Sequence, residues 1–109
     1  MTFNDYQQKA LTTAVYTNWK DQLVCTALGL NGEAGEAAEK IKKVIRDKGW
    51  EFSQEDVDQL KKELGDVLWY LAVLAQTVGL SFEDIAQHNL EKLKSRQFRG
   101  KISGSGDNR

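Results

Sequence analysis

Two pairs of acidic residues stand at spacings that could assemble a metal site. Glu33 precedes Glu36 by three positions, and Glu63 precedes Asp66 by three positions. Side chains three residues apart on an α-helix lie on one face, so each pair would present its two carboxylates together. If two antiparallel helices carry the pairs, the four carboxylates converge and repel one another until a cation neutralises them. Hard cations prefer oxygen ligands, so the pattern predicts a Mg²⁺ site in which Mn²⁺ could substitute.

The alternative is that these carboxylates form an ordinary solvated face, since exposed acidic residues are common. Two features of the surrounding sequence favour a site instead. The residues around the second acidic pair are apolar, which places that pair at the border of a core: Leu64, Val67, Leu68 and Leu71. Glycines interrupt the same stretches, each at a cost of about 1 kcal/mol relative to alanine: Gly29, Gly32, Gly35 and Gly65. They indicate close approach of a ligand or another backbone, and tight helix packing alone would also explain them.

Four helices are predicted to position these acids. Apolar residues at spacings of three and four predict helices over about residues 4–18, 22–48, 55–77 and 82–96. Asn4, Ser53 and Ser81 are predicted N-caps, and Gly49 is a predicted helix end. The chain between Glu36 and Glu63 is long enough to finish one helix, turn and return antiparallel.

The composition is that of one globular domain. The chain has 109 residues, of which 40% are hydrophobic and 28% charged, with no proline to break helices. We predict a single helical domain over residues 1–99 and a flexible basic tail containing Gly and Ser over residues 100–109. One cysteine and one histidine exclude a structural zinc site or an internal disulfide. A di-iron carboxylate site needs Glu-x-x-His pairs, but Ile85 lies three residues before the only histidine, His88.

The run VLWYLAVLA, from Val67 to Ala75, is apolar on nearly every side. A helix of this kind must be covered all round, which a chain with so few helices cannot do alone. The predicted fold is therefore all-α, an antiparallel bundle of about four helices completed by homo-oligomerisation into a homodimer or homotetramer. Trp69 and Tyr70 are expected to serve core or interface packing, and Cys25 is expected to be a buried packing residue.

Three segments together carry a specific resemblance to a known family: GLNGEAGEAAEKIKK, KKELGDVLWYLAVLAQTVGLS and HNLEKLKSR. They resemble the MazG-like members of the all-α nucleoside triphosphate pyrophosphohydrolases over about residues 22–100. The family pattern has two adjacent Glu, a further Glu three positions on, and later an ExxD motif. Gly32 occupies the position of the first adjacent acid. Glu39 continues the i, i+3 series but drifts around the helix, so it is a weaker substitute.

The resemblance implies Mg²⁺-dependent cleavage between the α- and β-phosphates of a nucleoside or deoxynucleoside triphosphate, giving a monophosphate and pyrophosphate. The implied metal ligands are Glu33, Glu36, Glu63 and Asp66. Glu36, or else Glu33, would orient or deprotonate the attacking water. The resemblance further implies that substrate phosphates are bound on the fourth helix by Asn89, Lys92 and Arg96. The alternative for the two cations is favourable decoration of a helix C-terminus.

Two other functions remain open at the level of sequence. One is a relative with a narrow substrate, such as dUTP, dCTP or phosphoribosyl-ATP. The other is a non-catalytic helical module that binds a protein partner. Residues 92–109 contain six basic residues and a single acidic one, whereas the rest of the chain is acidic, which argues against stable nucleic-acid binding. No segment reads as a signal peptide or membrane span, so a cytoplasmic location is expected.

Overall fold

The computed structural model describes residues 1–109 and contains four helices and no strand. The helices are α1 (Phe3–Leu11), α2 (Trp19–Lys48), α3 (Gln54–Thr77) and α4 (Phe82–Phe98). Helices α2 and α3 form the main antiparallel pair, joined by a short connection, and α1 packs across α3. The prediction of an all-α fold with four helices is confirmed.

The helix ends follow local hydrogen bonding. Asn18, Ser53 and Ser81 each accept a hydrogen bond from the backbone N–H three residues later, which satisfies one otherwise free donor of α2, α3 and α4 respectively. Gly49 ends α2 at a φ of 57°, a left-handed conformation that glycine adopts without a Cβ penalty. The predicted caps Ser53 and Ser81 and the predicted end at Gly49 are therefore confirmed.

The first helix differs from the prediction at both ends. Its N-cap is Thr2 rather than Asn4, because Thr2 and Asp5 form a reciprocal capping box. The helix ends at Leu11 instead of continuing to residue 18, and the hydroxyls of Thr12 and Thr13 donate back to the carbonyls of Lys9 and Ala10. These local bonds compete with helix continuation.

The core is small and lies where α1, α3 and the start of α4 meet. Ala10, Ala72, Val73 and Phe82 form its fully buried cluster. Half-buried Leu68, Trp69 and Leu71 pack against that cluster. The apolar run of α3 is thus largely covered within the chain, which confirms the packing role of Trp69 and leaves its indole N–H to donate to the Thr13 hydroxyl at 2.7 Å.

One glycine explains how closely α2 and α3 approach. A Cβ atom on Gly29 would overlap the ring of Tyr70, so only glycine admits that ring between the two helices. No atom lies within 4 Å of a Cβ built on the other three helical glycines, Gly32, Gly35 and Gly65. Close approach within the chain therefore accounts for Gly29 alone, and approach of a ligand or a second copy to the other three glycines stays a prediction.

The chain is open in shape because α4 turns away from α3 by 103° and packs against α1 and α3 but not against α2. The radius of gyration is 16.7 Å, compared with about 13 Å for a compact domain of 100 residues. Apolar side chains remain exposed on α2 and α4, among them Leu28, Leu90 and Phe98, the last with 93% of its surface accessible. None of the helices alone is long and apolar enough to cross a membrane, and only the bent pair of α3 and α4 satisfies the length and composition criteria together.

Candidate metal centre

Three carboxylates from the antiparallel pair of helices meet on one side of the molecule. Glu33 comes from α2, and Glu63 and Asp66 come from successive turns of α3. One carboxyl oxygen from each lies within 4.8 Å of the other two. The antiparallel return of α3 along α2 therefore brings both predicted acidic pairs to one place, and three of their four members form a cluster. We call these three residues the acidic cluster.

The electrostatics of the acidic cluster are those of an unneutralised group of like charges. Partial burial raises the pKa of Glu33, and a hydrogen bond with Glu63 and the negative charges of Asp66, Glu63 and Glu36 raise this pKa further. Each of these effects penalises the ionised form of Glu33. A divalent cation would reverse the penalty, because it attracts the same charges that repel one another without it.

The size of the acidic cluster fits such a cation. With bonds of about 2.1 Å, two oxygens on opposite sides of Mg²⁺ lie about 4.2 Å apart, and around Ca²⁺ the separation is about 4.6–5.2 Å. The limit of 4.8 Å between the carboxyl oxygens is compatible with either ion after small side-chain rotations. Because all three donors are oxygens, the acidic cluster suits a hard cation.

Glu36 stands apart from the acidic cluster. Its side chain is exposed one turn after Glu33, and its oxygens are not among those within 4.8 Å of one another. Its charge nevertheless acts on Glu33. The structure thus places Glu36 beside the acidic cluster without making it a member, and the roles predicted for Glu36 and Glu33 in positioning water stay predictions.

Two residues near the acidic cluster were not identified from the sequence. The Lys40 ammonium lies 3.9 Å from a Glu63 oxygen and supplies one positive charge at the edge of the acidic cluster. The sequence could have indicated Lys40, because it follows Glu36 by four residues and therefore lies on the same helical face. The second residue is Tyr6 of α1. Burial raises the pKa of its hydroxyl, and the nearby negative charge of Asp66 raises this pKa further.

The predicted phosphate-binding residues lie elsewhere in the single chain. Asn89 is exposed on α4, Lys92 is half-buried and Arg96 is buried. The Lys92 ammonium lies 3.4 Å from a carboxylate oxygen of Asp107 in the tail, and Arg96 also contacts Asp107. Because α4 does not pack against α2, one copy of the chain does not bring these cations up against Glu33.

Two remaining residues of the sequence analysis also have defined positions. Cys25 is exposed on α2, so the expectation of a buried packing residue was wrong. The stripe of α2 that faces α3 in this region runs through buried Thr26 and half-buried Gly29, which turns Cys25 outward. His88 is exposed on α4 and borders a polar cavity with Lys92 and Arg96.

Comparison with known proteins identifies a family. The sequence pattern described as the MazG nucleotide pyrophosphohydrolase domain matches residues 24–99, which include the acidic cluster and the cations of α4. The chain is also similar to the "Gene 37 protein" of Mycobacterium phage L5, with 48% identity over 109 residues, covering 95% of this chain and 96% of that protein. No solved structure shows a significant match.

Proposed function

Because the chain belongs to the MazG nucleotide pyrophosphohydrolase family, we propose that it is a Mg²⁺-dependent enzyme that cleaves nucleoside triphosphates between the α- and β-phosphates. The products are a nucleoside monophosphate and pyrophosphate, and the cellular role is housekeeping of the nucleotide pool. The observation that carries the proposal is the convergence of Glu33, Glu63 and Asp66 from two helices onto one point.

In this proposal the acidic cluster binds the metal, and Glu36 orients and deprotonates the attacking water. Bound Mg²⁺ would neutralise phosphate oxygens and lower the pKa of a coordinated water, so that hydroxide forms near neutral pH. Glu33, Glu63 and Asp66 are the ligands because their oxygens share one site. Glu36 is exposed beside them and free to accept a proton from the attacking water.

Lys40 has a separate part in the proposed site. Its ammonium is 3.9 Å from a Glu63 oxygen, so its positive charge offsets part of the negative charge of the acidic cluster and holds that side chain in place. The Lys40 side chain is about one-third exposed, so it can swing away when a cation replaces its charge. Lys40 therefore acts as a positioning residue in the metal-free protein.

The proposed working unit is a homo-oligomer, either a dimer or a tetramer. Two observations support it: apolar residues of α2 and α4 stay exposed in one copy, and α4 does not reach α2. A second copy would cover the exposed side chains and could bring its own Asn89, Lys92 and Arg96 to the phosphates held at the first copy's acidic cluster. The substrate is then a nucleoside or deoxynucleoside triphosphate bound between copies.

Product analysis tests this function. The purified protein is incubated with each common NTP and dNTP, and with dUTP, in Mg²⁺ and separately in EDTA. We expect monophosphate and pyrophosphate in Mg²⁺ and neither in EDTA. Diphosphate and orthophosphate would place the cut at the terminal phosphate and refute the proposal.

The same panel separates the remaining alternatives. Turnover of dUTP or dCTP alone would identify a narrow-substrate enzyme, and phosphoribosyl-ATP is added to the panel for the same reason. If no nucleotide is turned over and millimolar Mg²⁺ does not raise the melting temperature, the chain is a non-catalytic helical module, because a ligand that binds the native state must stabilise it.

A further inference from the structure

The polar cavity that His88 borders lies between α4 and the C-terminal segment, away from the acidic cluster. Its volume is about 450 Å³ and no hydrophobic residue lines it. The cations around it are Lys92, Arg96, Arg99 and Arg109, with His88 at the rim. Such a concentration of positive charge attracts anions, and the guanidinium groups suit phosphate oxygens in particular.

The C-terminal segment folds back to close this cavity. Gly100, Gly104 and Gly106 have φ values of 68°, 125° and 85°, a region that side chains other than glycine rarely adopt. The guanidinium of Arg109 donates to the carbonyl oxygens of Ile102 at 2.9 Å and Gly106 at 2.7 Å, which fixes residues 101–109 as a closed loop. We call these residues the tail loop.

The tail loop places one acidic residue on the cations of α4. The Asp107 carboxylate lies 3.4 Å from the Lys92 ammonium and 3.7 Å from Arg96, whose side chain is only 5% exposed. Arg96 also donates to the backbone carbonyl of Asp107. Its Nε is buried and has no hydrogen-bond partner. A guanidinium that is buried and incompletely satisfied is poised for an acceptor richer in oxygens than one carboxylate.

We propose that the tail loop is an internal competitor for the phosphate chain, in which Asp107 occupies the position on Lys92 and Arg96 that ligand phosphates take. The inference rests on the proposed role of these two cations in binding substrate phosphates. A phosphate ligand displaces Asp107, and the tail loop opens away from α4. The Asp107 side chain is 88% exposed, so solvent screens its two ion pairs and a multiply charged ligand can replace it.

The competition has a quantitative signature. If the closed tail loop and a ligand exclude each other, the apparent affinity for every phosphate ligand falls by one common factor, the fraction of molecules with the tail loop open. A variant that opens the tail loop therefore tightens binding of orthophosphate and pyrophosphate by the same ratio. A general change of surface charge would instead favour the more highly charged ligand.

The experiment is calorimetric titration of the full-length chain with inorganic pyrophosphate and with orthophosphate, in metal-free buffer. Asp107→Asn removes the competing charge. Gly106→Val disfavours the closed loop because valine rarely adopts the positive φ of that position. No neighbouring atom would clash with the new side chain, so the backbone conformation is all that changes. We expect each variant to bind both ligands about two- to fivefold more tightly than wild type, with the same ratio for the two ligands. Adding Lys92→Ala to either variant should abolish this gain in affinity.

Glu91→Gln is the matched control, because Glu91 lines the same cavity but accepts its hydrogen bond from Gln87 and not from the cations. We expect it to change both affinities less than Asp107→Asn does. Equal affinity in wild type, Asp107→Asn and Gly106→Val overturns the inference, as does an equal gain in Glu91→Gln. Absence of pyrophosphate binding to all variants also overturns it.

None of these titrations requires turnover. A protein that binds pyrophosphate with the expected ratios but hydrolyses no nucleotide would refute the proposed enzyme activity and leave the competitor in place. If the protein hydrolyses nucleotides but Asp107→Asn and Gly106→Val leave its phosphate affinity unchanged, the enzyme activity stands and the competitor is refuted.

Discussion

The buried carboxamide of Gln7 fixes the start of α4, because its Oε1 accepts a hydrogen bond from the backbone N–H of Phe82 at 3.0 Å. The Nε2 of the same side chain donates to the carbonyls of Ala72 and Leu80 at 3.1 and 3.0 Å. One polar side chain from α1 thereby ties the end of α3 to the beginning of α4. The direction of α4, and with it the position of Lys92, depends on this junction.

Replacing Gln7 with leucine should destabilise the fold. Leucine keeps a similar volume but leaves the Phe82 N–H and two carbonyls without their partner, at a cost of about 2–4 kcal/mol in the free energy of unfolding. Urea denaturation followed by circular dichroism measures the change. Gln8→Leu, at the adjacent exposed position, is the control and should stay within about 0.5 kcal/mol of wild type.

Adding a methyl group to Gly29 should separate α2 from α3. The new Cβ would overlap the Tyr70 ring, and overpacking of this kind costs about 1–3 kcal/mol. Thermal unfolding in metal-free buffer should show a lower melting temperature for Gly29→Ala. Gly35→Ala serves as the counterpart, because open space surrounds that position and alanine is the better helix former by about 1 kcal/mol. If Gly35→Ala were equally destabilising, a second copy would be packed against that glycine.

Removing one charge from the acidic cluster should abolish stabilisation by metal. Glu63→Gln and Asp66→Asn keep the side-chain shape but replace a charged ligand with a neutral one, so the rise in melting temperature with millimolar Mg²⁺ or Mn²⁺ should disappear, together with turnover. Glu39→Gln, outside the acidic cluster, should retain both. A full metal-induced shift in Glu63→Gln would show that the site is elsewhere.

Truncating Lys92 should affect phosphate binding rather than metal binding. In Lys92→Ala we expect KM for a nucleoside triphosphate to rise by about tenfold or more, since a charge-assisted contact contributes about 1.5–3 kcal/mol. The Mg²⁺-induced shift in melting temperature should match wild type, because α4 does not contact α2 within a copy. Lys94→Ala, an exposed cation on the same helix, should change neither quantity. Loss of both responses in Lys92→Ala would indicate a structural role.

Acid should weaken the fold through Asp56 at the start of α3. Hydrogen bonds from the Lys48 ammonium and from Ser53 lower its pKa from 3.8 to about 2. A carboxyl with a depressed pKa stabilises the folded state fully above its unfolded value of 3.8, and this contribution is lost as the pH falls towards about 2. Asp56→Asn should therefore show a shallower fall in the free energy of unfolding between these pH values. Asp58→Asn, exposed on the same helix, should keep the wild-type slope.

The sequence predicted well those features that depend on the pattern of residues within a single helix. Apolar spacing and the caps Ser53 and Ser81 placed α3 and α4. The i, i+3 acids predicted a cluster of four carboxylates, of which three converge. Nothing in that periodicity separates Glu36 from Glu33, because their different surroundings arise only when α3 packs against α2.

Two features that the sequence did not reveal depend on partners distant in the chain, whereas the early end of α1 has a local cause. No pattern in the sequence identifies Gln7, because its hydrogen-bond partners Ala72, Leu80 and Phe82 lie far along the chain. The end of α1 is set by short-range bonds of Thr12 and Thr13, whose hydroxyls gave a local signal that the apolar stripe outweighed. Asp107 reads as one acid in a basic segment, and only the reversal of the tail loop brings it onto Lys92.

The outward turn of α4 has a genetic consequence in the proposed assembly. If the cations of one copy serve the acidic cluster of another, a substitution in α4 harms its neighbour's site and spares its own. Two chains with separate lesions, one in the acidic cluster and one in α4, would complement each other by sharing a single intact site between them.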